Sequence, residues 1–167
     1  MLKKGAVTQP GTCHPKRPIQ GFNCQRREVS GERFWRLFQD ICSEADNFFR
    51  HCFVYNHCPI AFLKESGKNV TPPELPIGLR TKIAEACDDT FINVINLLKT
   101  EEILAIGKYA EKRVKDLIKN GRTKVKVNFL MHPSPINPLA NKDWNGIALQ
   151  TLHDIGIIEF LKPSVKQ

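Results

Sequence analysis

Val125-Lys126-Val127-Asn128-Phe129-Leu130-Met131-His132 reads as a strand that delivers a polar side chain at its carboxyl end. Val125, Val127 and Phe129 alternate with Lys124, Lys126 and Asn128, the period-two pattern of a strand with one buried side. Just upstream, Tyr109, Ala110, Val114, Leu117 and Ile118 recur at helical spacing, and Asn120-Gly121 supplies a helix stop. Ile103-Leu104-Ala105-Ile106-Gly107 before that helix is a short apolar run, expected as a buried strand.

The same alternation continues outward. Leu79, Ile83, Cys87, Phe91 and Leu98 trace a long helix, and Cys52-Phe53-Val54-Tyr55-Asn56, stopped soon after by Pro59, has the β-branched and aromatic content of another buried strand. Phe34, Leu37, Phe38 and Ile41 predict a helix capped by Ser30, and Trp144, Ile147, Ala148, Leu152 and Ile155 a last one ending at Gly156. Strand, helix, strand, helix, strand, helix implies right-handed crossovers and an α/β domain, with a central parallel sheet covered on both faces as three α/β/α layers. With 167 residues and 41% apolar content, a single domain is expected. Residues 1–28 form a basic lead-in rich in Pro and Gly, and 29–167 the domain itself.

Lys and Arg number 25 against 17 acidic residues, giving a charge of +8. That favours a polyanionic partner, although solvated Lys also serves solubility. Gly5 to Pro18 holds no apolar signal-peptide core and nowhere do eighteen apolar residues run together, so a soluble intracellular protein without a membrane role is expected. Cys42 and Cys87 fall in helical patterns and Cys52 opens an apolar run, which suits reduced, packed thiols.

Open parallel sheets bind ligands beyond the carboxyl ends of their strands, which singles out Asn56 and His132. The Asn amide offers an acceptor and a donor in one plane, matching the ring N–H and adjacent carbonyl of a uracil edge; the alternative is that Asn56 bonds to the turn that follows it. His132 could act as general acid or base, as metal ligand, or as a neutral donor to developing negative charge. His51, Cys52, His57 and Cys58 are nominal zinc ligands, but on a strand they split between faces and no C-x-x-C occurs, so neither metal nor cofactor is expected. The dinucleotide, phosphate-loop, esterase and zincin motifs are all absent from the sequence.

One loop stands apart: His132-Pro133-Ser134-Pro135-Ile136-Asn137-Pro138-Leu139-Ala140-Asn141-Lys142-Asp143-Trp144, with three prolines in its first seven residues, stiff enough to hold a wedge against a duplex. It resembles the H-P-S-P-x-N-P-x-A-N-K-x-W motif of the single-strand-selective monofunctional uracil-DNA glycosylases. His14-Pro15-Lys16-Arg17-Pro18, Glu28-Val29-Ser30-Gly31, Arg33-Phe34-Trp35, His51-Cys52-Phe53-Val54 and Asn56 look like the same family in the same order.

The resemblance implies a uracil-DNA glycosylase fold acting in nuclear base-excision repair. Such an enzyme flips uracil, or an oxidised uracil such as 5-hydroxymethyluracil, out of single- or double-stranded DNA and hydrolyses its glycosidic bond, here as a monomer. By position, Asn56 would read the uracil edge and His132 would bind the base and stabilise its charge. Ser66-Gly67-Lys68-Asn69-Val70-Thr71-Pro72-Pro73-Glu74-Leu75-Pro76 and Arg80 would contact DNA, as would Ser134, Pro135, Ile136, Asn137, Pro138 and Lys142. Two departures accompany the match. Nothing in Met1 to Cys13 resembles the family's first motif, G-M-N-P-G-P, so its water-positioning strand is expected to be missing from an N-terminally truncated chain, the alternative being a catalytically impaired DNA-binding fragment. Ile136 stands where members of the family often carry Arg.

Overall fold

The structure, a computed structural model, describes residues 10–162. The sequence expectations for Met1 to Gln9 lie outside the described residues. The described chain falls into two compact units, one formed from residues up to Arg27 with Cys58–Ala86, the other from Glu28–His57 with the chain from Cys87 onward.

In the first unit, Phe62–Leu63 (β1) pairs antiparallel with Asn69–Val70 (β2). Gly67 is buried in the turn between them, its N–H donating to the Lys64 carbonyl at 2.7 Å and its carbonyl accepting from the Arg17 side chain. A 3-10 turn follows at Pro72–Glu74, closed by the Glu74 carboxylate, which accepts from both the backbone N–H and the hydroxyl of Thr71 at 2.8 Å. Ser66 to Pro76, expected to contact DNA, thus runs through an organised hairpin and 3-10 turn.

The second unit opens with Val29–Cys42 (α1) and Ala45–Phe49 (α2). Glu28, not Ser30, caps α1: its carboxylate accepts from the Gly31 N–H at 2.7 Å, because Ser30 already sits inside the first turn. Ile77–Leu98 (α3) contributes to this unit from Cys87 on. Glu102–Ile106 (β3), Lys108–Lys119 (α4) and Lys126–Leu130 (β4) form a strand-helix-strand unit, with β3 and β4 parallel and Ile103 opposite Val127, Ala105 opposite Phe129. Pro138–Asp154 (α5) and Ile158–Leu161 (α6) complete the unit. Asp143 interrupts α5 with extended backbone (φ −161°, ψ 74°), and its carboxylate accepts from the Gly146 N–H at 2.8 Å. It acts as a second N-cap, so the apolar pattern beginning at Trp144 marks a real helix start.

The core of this unit gathers Leu37, Phe38 and Cys42 of α1, Phe48 of α2, Trp144, Ala148 and Leu152 of α5 and Leu161 of α6 around Leu130, which is fully buried at the end of β4. The parallel sheet is small: β3 and β4 are its two strands among the described residues. Cys52–Asn56, expected as a buried strand, has no backbone ladder, and Phe53 is 65% exposed. Composition gave it a strand's propensity; a strand also needs a neighbour to take its backbone hydrogen bonds, and none of the described backbone does so.

Candidate active site

Directly after β4 the chain places His132, exposed, at the mouth of the Pro-rich loop. The Ser134 N–H donates to His132 Nδ1 at 3.1 Å. A neutral imidazole accepting at Nδ1 carries its proton at Nε2, so the ring presents an N–H donor outward. The backbone on both sides of the ring is fixed. Trp144 Nε1 donates to the Met131 carbonyl at 2.8 Å, and Arg33 Nη1, reaching over from α1, donates to the Pro133 carbonyl at 3.1 Å. Behind the ring lies Gly107, whose N–H donates to the Leu130 carbonyl at 2.8 Å. Its φ of +89° suits only glycine, and a Cβ there would stand 3.1 Å from His132 Cβ and 3.3 Å from Cδ2.

The loop beyond His132 is bonded to itself. Ser134 Oγ accepts from the Ile136 N–H at 3.2 Å, and the Asn137 N–H donates to the Ser134 carbonyl at 3.0 Å. Asn137 caps α5 by accepting from the Leu139 N–H at 3.1 Å, with Pro138 at the first helical position, where its missing N–H costs nothing. Asn141 ties loop to helix: its Nδ2 donates to the Pro135 carbonyl at 2.7 Å while its Oδ1 accepts from Arg33 Nη2 at 3.0 Å. On this scaffold Ile136 projects with 89% of its surface exposed, and Lys142 is exposed nearby in sequence. A rigid apolar tip on a bonded loop is suited to insertion between stacked bases.

Asn56, in the same unit, is exposed, and its amide has no hydrogen-bond partner among the described residues. The alternative in which it bonds to the following turn is not realised. Its neighbours are engaged instead: Tyr55 stacks on Phe91 with ring centroids 5.5 Å apart, and His57 Nε2 lies 2.7 Å from Asp88 Oδ1. Burial raises the Cys52 thiol above its ordinary value, with a smaller contribution from Cys42.

The remaining expected DNA contacts, Ser66 to Pro76 and Arg80, belong to the first unit. Ser66, Lys68, Asn69, Thr71, Pro73, Glu74 and Pro76 are exposed, whereas Gly67 is buried. Arg80 Nη1 donates to the Pro73 carbonyl at 3.2 Å, bracing the 3-10 turn. The Thr71 backbone N–H, followed by its hydroxyl, holds the Glu74 carboxyl below its ordinary range.

The residues that build the His132 site without carrying an expected role are Arg33, Gly107, Asn141 and Trp144. A glycine between an apolar run and a helix was the available signal for Gly107. Arg33 lies about a hundred residues upstream of its partners, beyond any local pattern.

Comparison with known proteins identifies the family. The family described as the uracil DNA glycosylase superfamily matches residues 13–152. The single-strand selective monofunctional uracil DNA glycosylase of Bos taurus is 40% identical over 157 residues, covering 94% of this chain and 58% of that protein. The corresponding proteins of Rattus norvegicus and Mus musculus are also 40% identical over 157 residues, covering 94% of this chain and 56% of each relative. The chain thus spans a little over half the length of the curated relatives it matches. A family match across residues 13–152, most of the chain, establishes that it belongs to the uracil DNA glycosylase superfamily.

Proposed function

We propose that this chain acts in DNA repair as a monofunctional glycosylase that removes uracil, and oxidised uracils such as 5-hydroxymethyluracil, from single- or double-stranded DNA in the nucleus, working as a monomer. The observation that carries this is exposed His132, whose Nδ1 accepts from the Ser134 N–H at 3.1 Å, which leaves the proton of a neutral ring on Nε2. As the bond from the sugar carbon to the base nitrogen breaks, its electron pair moves onto the base, and charge accumulates on a carbonyl oxygen. An Nε2–H donor that is already in place stabilises that charge without reorganisation. The sugar carbon, left oxocarbenium-like, takes water, and an abasic site remains.

Asn56 supplies selection. Held with Oδ1 toward the ring N–H, its amide pairs with that N–H and the neighbouring carbonyl of uracil, and in that orientation would face donor against donor on cytosine. Rejection by an unsatisfied buried polar pair exceeds what an apolar pocket achieves. Ile136, flanked by Pro135 and Pro138, fills the gap left by the flipped nucleotide, with Ser134, Asn137 and Lys142 beside it. Ser66 to Pro76 and Arg80 supply further DNA contact, by analogy with the family. The same reading places β3 and β4 within a three-layer α/β/α sheet.

The test uses a single-stranded oligonucleotide with one uracil, scored by alkali cleavage at the abasic product. Release is expected, and His132→Leu should reduce it on the order of 100-fold or more. Undiminished release by that variant removes His132 from the chemistry. Salt-sensitive binding with no abasic product identifies a DNA-binding chain that does not hydrolyse.

A further inference from the structure

Asp88 is 5% exposed and is the buried charged residue of the described chain. It sits on α3 and receives Arg113 of α4 in a two-pronged contact, Nε donating to Oδ1 at 3.3 Å and Nη2 to Oδ2. His57 Nε2 meets the same Oδ1 at 2.7 Å. The His57 ring is packed edge-on against Phe91 at 6.0 Å and Tyr109 at 5.9 Å, and its Nδ1 is buried with no hydrogen-bond partner. Burying an orphaned ring nitrogen is unfavourable, and the contact of Nε2 with Asp88 offsets that cost.

Asn56 lies between two such attachments. Tyr55 and His57 both attach to α3, whereas Asn56 between them is exposed with its amide unpartnered among the described residues. Tyr55 stacks on Phe91 and His57 binds Asp88, three residues apart on one face of α3. The segment has no sheet ladder to hold it, so these two contacts define its direction.

We propose that His57, with the Asp88–Arg113 pair behind it and Tyr55 beside it, is the positioning residue that turns the Asn56 amide outward for base reading. The proposal rests on the reading of Asn56 given under the proposed function. His57 touches no substrate; it acts through the backbone of its neighbour.

Two measurements test it. Backbone 15N relaxation reports order at Tyr55 and Asn56 in the chain alone. Rigid values are expected for the unaltered protein and a fall below about 0.6 in His57→Leu, with residues 126–132 unchanged. His57→Gln, whose amide nitrogen can occupy the Nε2 position, should restore order. Should His57→Leu not fold, His57→Asn, too short to reach Asp88, takes its place. In uracil release, the disordered variant should lose on the order of 10- to 100-fold in kcat/KM, with His57→Gln recovering most of it. Unchanged order at Asn56 in the Leu or Asn variant overturns the strut, as does disorder spread equally through 126–132. Failure of the unaltered chain to release uracil counts against the proposed function, and the relaxation result then still decides the strut.

Discussion

Replacing Gly107 by Ala separates the contribution of the support behind His132 from that of the ring itself. At φ +89° and ψ 162° the residue occupies backbone space essentially reserved for glycine, which costs an L-residue about 1–3 kcal/mol. The added Cβ would lie 3.1 Å from His132 Cβ, 3.3 Å from Cδ2 and 3.5 Å from Cγ, so the ring must move by a few tenths of an ångström. Overpacking of this kind adds about 1–3 kcal/mol, giving a destabilisation of about 2–4 kcal/mol if the site relaxes in part. At roughly 2–4 °C per kcal/mol for a chain of this length, the Tm followed by circular dichroism should fall by about 4–16 °C. Well below that temperature, uracil release should fall on the order of tenfold or more, because a displaced donor no longer meets the charge it stabilises. Gly121→Ala is the control. Its φ of +70° carries a backbone cost as well, but nothing lies within 4 Å of the added Cβ, so it should lower the Tm modestly and leave release unchanged. Gly107→Ala with a Tm within about 2 °C of the parent and full release would refute the reasoning.

Arg33→Met keeps the length of the side chain but severs both bonds to the His132 loop, and should lower uracil release and DNA affinity together while Asn56→Ala lowers release alone; equal affinity in Arg33→Met and the parent would count against the clamp. Glu74, with its carboxyl held below the ordinary value of 4.5, contributes order to the Pro72–Glu74 turn that is present above pH 4.5 and lost as pH falls through the lowered folded value. Its carboxyl carbon should titrate below 4.5 by NMR and move up in part in Thr71→Val, which removes the smaller of the two bonds; a midpoint at or above 4.5 in the parent would contradict the turn geometry. Burial raises Cys42 and Cys52 above the ordinary thiol value of 9.0, so at pH 8 a maleimide should label exposed Cys13 and Cys24 well before them, as peptide mass spectrometry can follow. Early labelling of Cys52 would place that segment in solvent.

How far the sequence could be read depended on whether an element is specified locally. β3, α4 and β4 follow their apolar periods because each packs on a neighbour adjacent in sequence, whereas α3, also visible from its period, leaves Leu79 and Leu98 exposed. Cys52–Asn56 has the composition of a strand, yet pairing is a property of two segments, and no local pattern reports whether a partner is present. The cap of α1 shifted by two residues because Glu28 reaches the Gly31 N–H as well as a shorter side chain would. At the candidate site, His132 and Asn56 stand out in the sequence because each is a polar side chain closing an apolar run. Arg33, Gly107 and Asp88 do not, because each acts through contacts 25 residues or more along the chain that only folding creates.

The two candidate site residues share a construction that bears on how the chain combines rigidity with free polar groups. His132 has Met131 held by Trp144 and Pro133 held by Arg33; Asn56 has Tyr55 held by Phe91 and His57 held by Asp88. In each case the neighbours on both sides are held, while the atoms proposed to meet the base, His132 Nε2 and the Asn56 amide, have no hydrogen-bond partner among the described residues. A functional group bonded directly to its support would have to break that bond to bind a base. Holding it by its flanks fixes its direction without occupying its hydrogen-bonding capacity, which is the condition electrostatic preorganisation requires. It follows that variants of the flanking anchors should alter the precision of binding and rate without changing which groups of the base are recognised. Variants of Asn56 itself should change the recognised base. Crossing His57→Leu with Asn56→Asp on uracil- and cytosine-containing strands separates the two effects. A change of base preference in His57→Leu alone would show that the anchors take part in recognition and not only in placement.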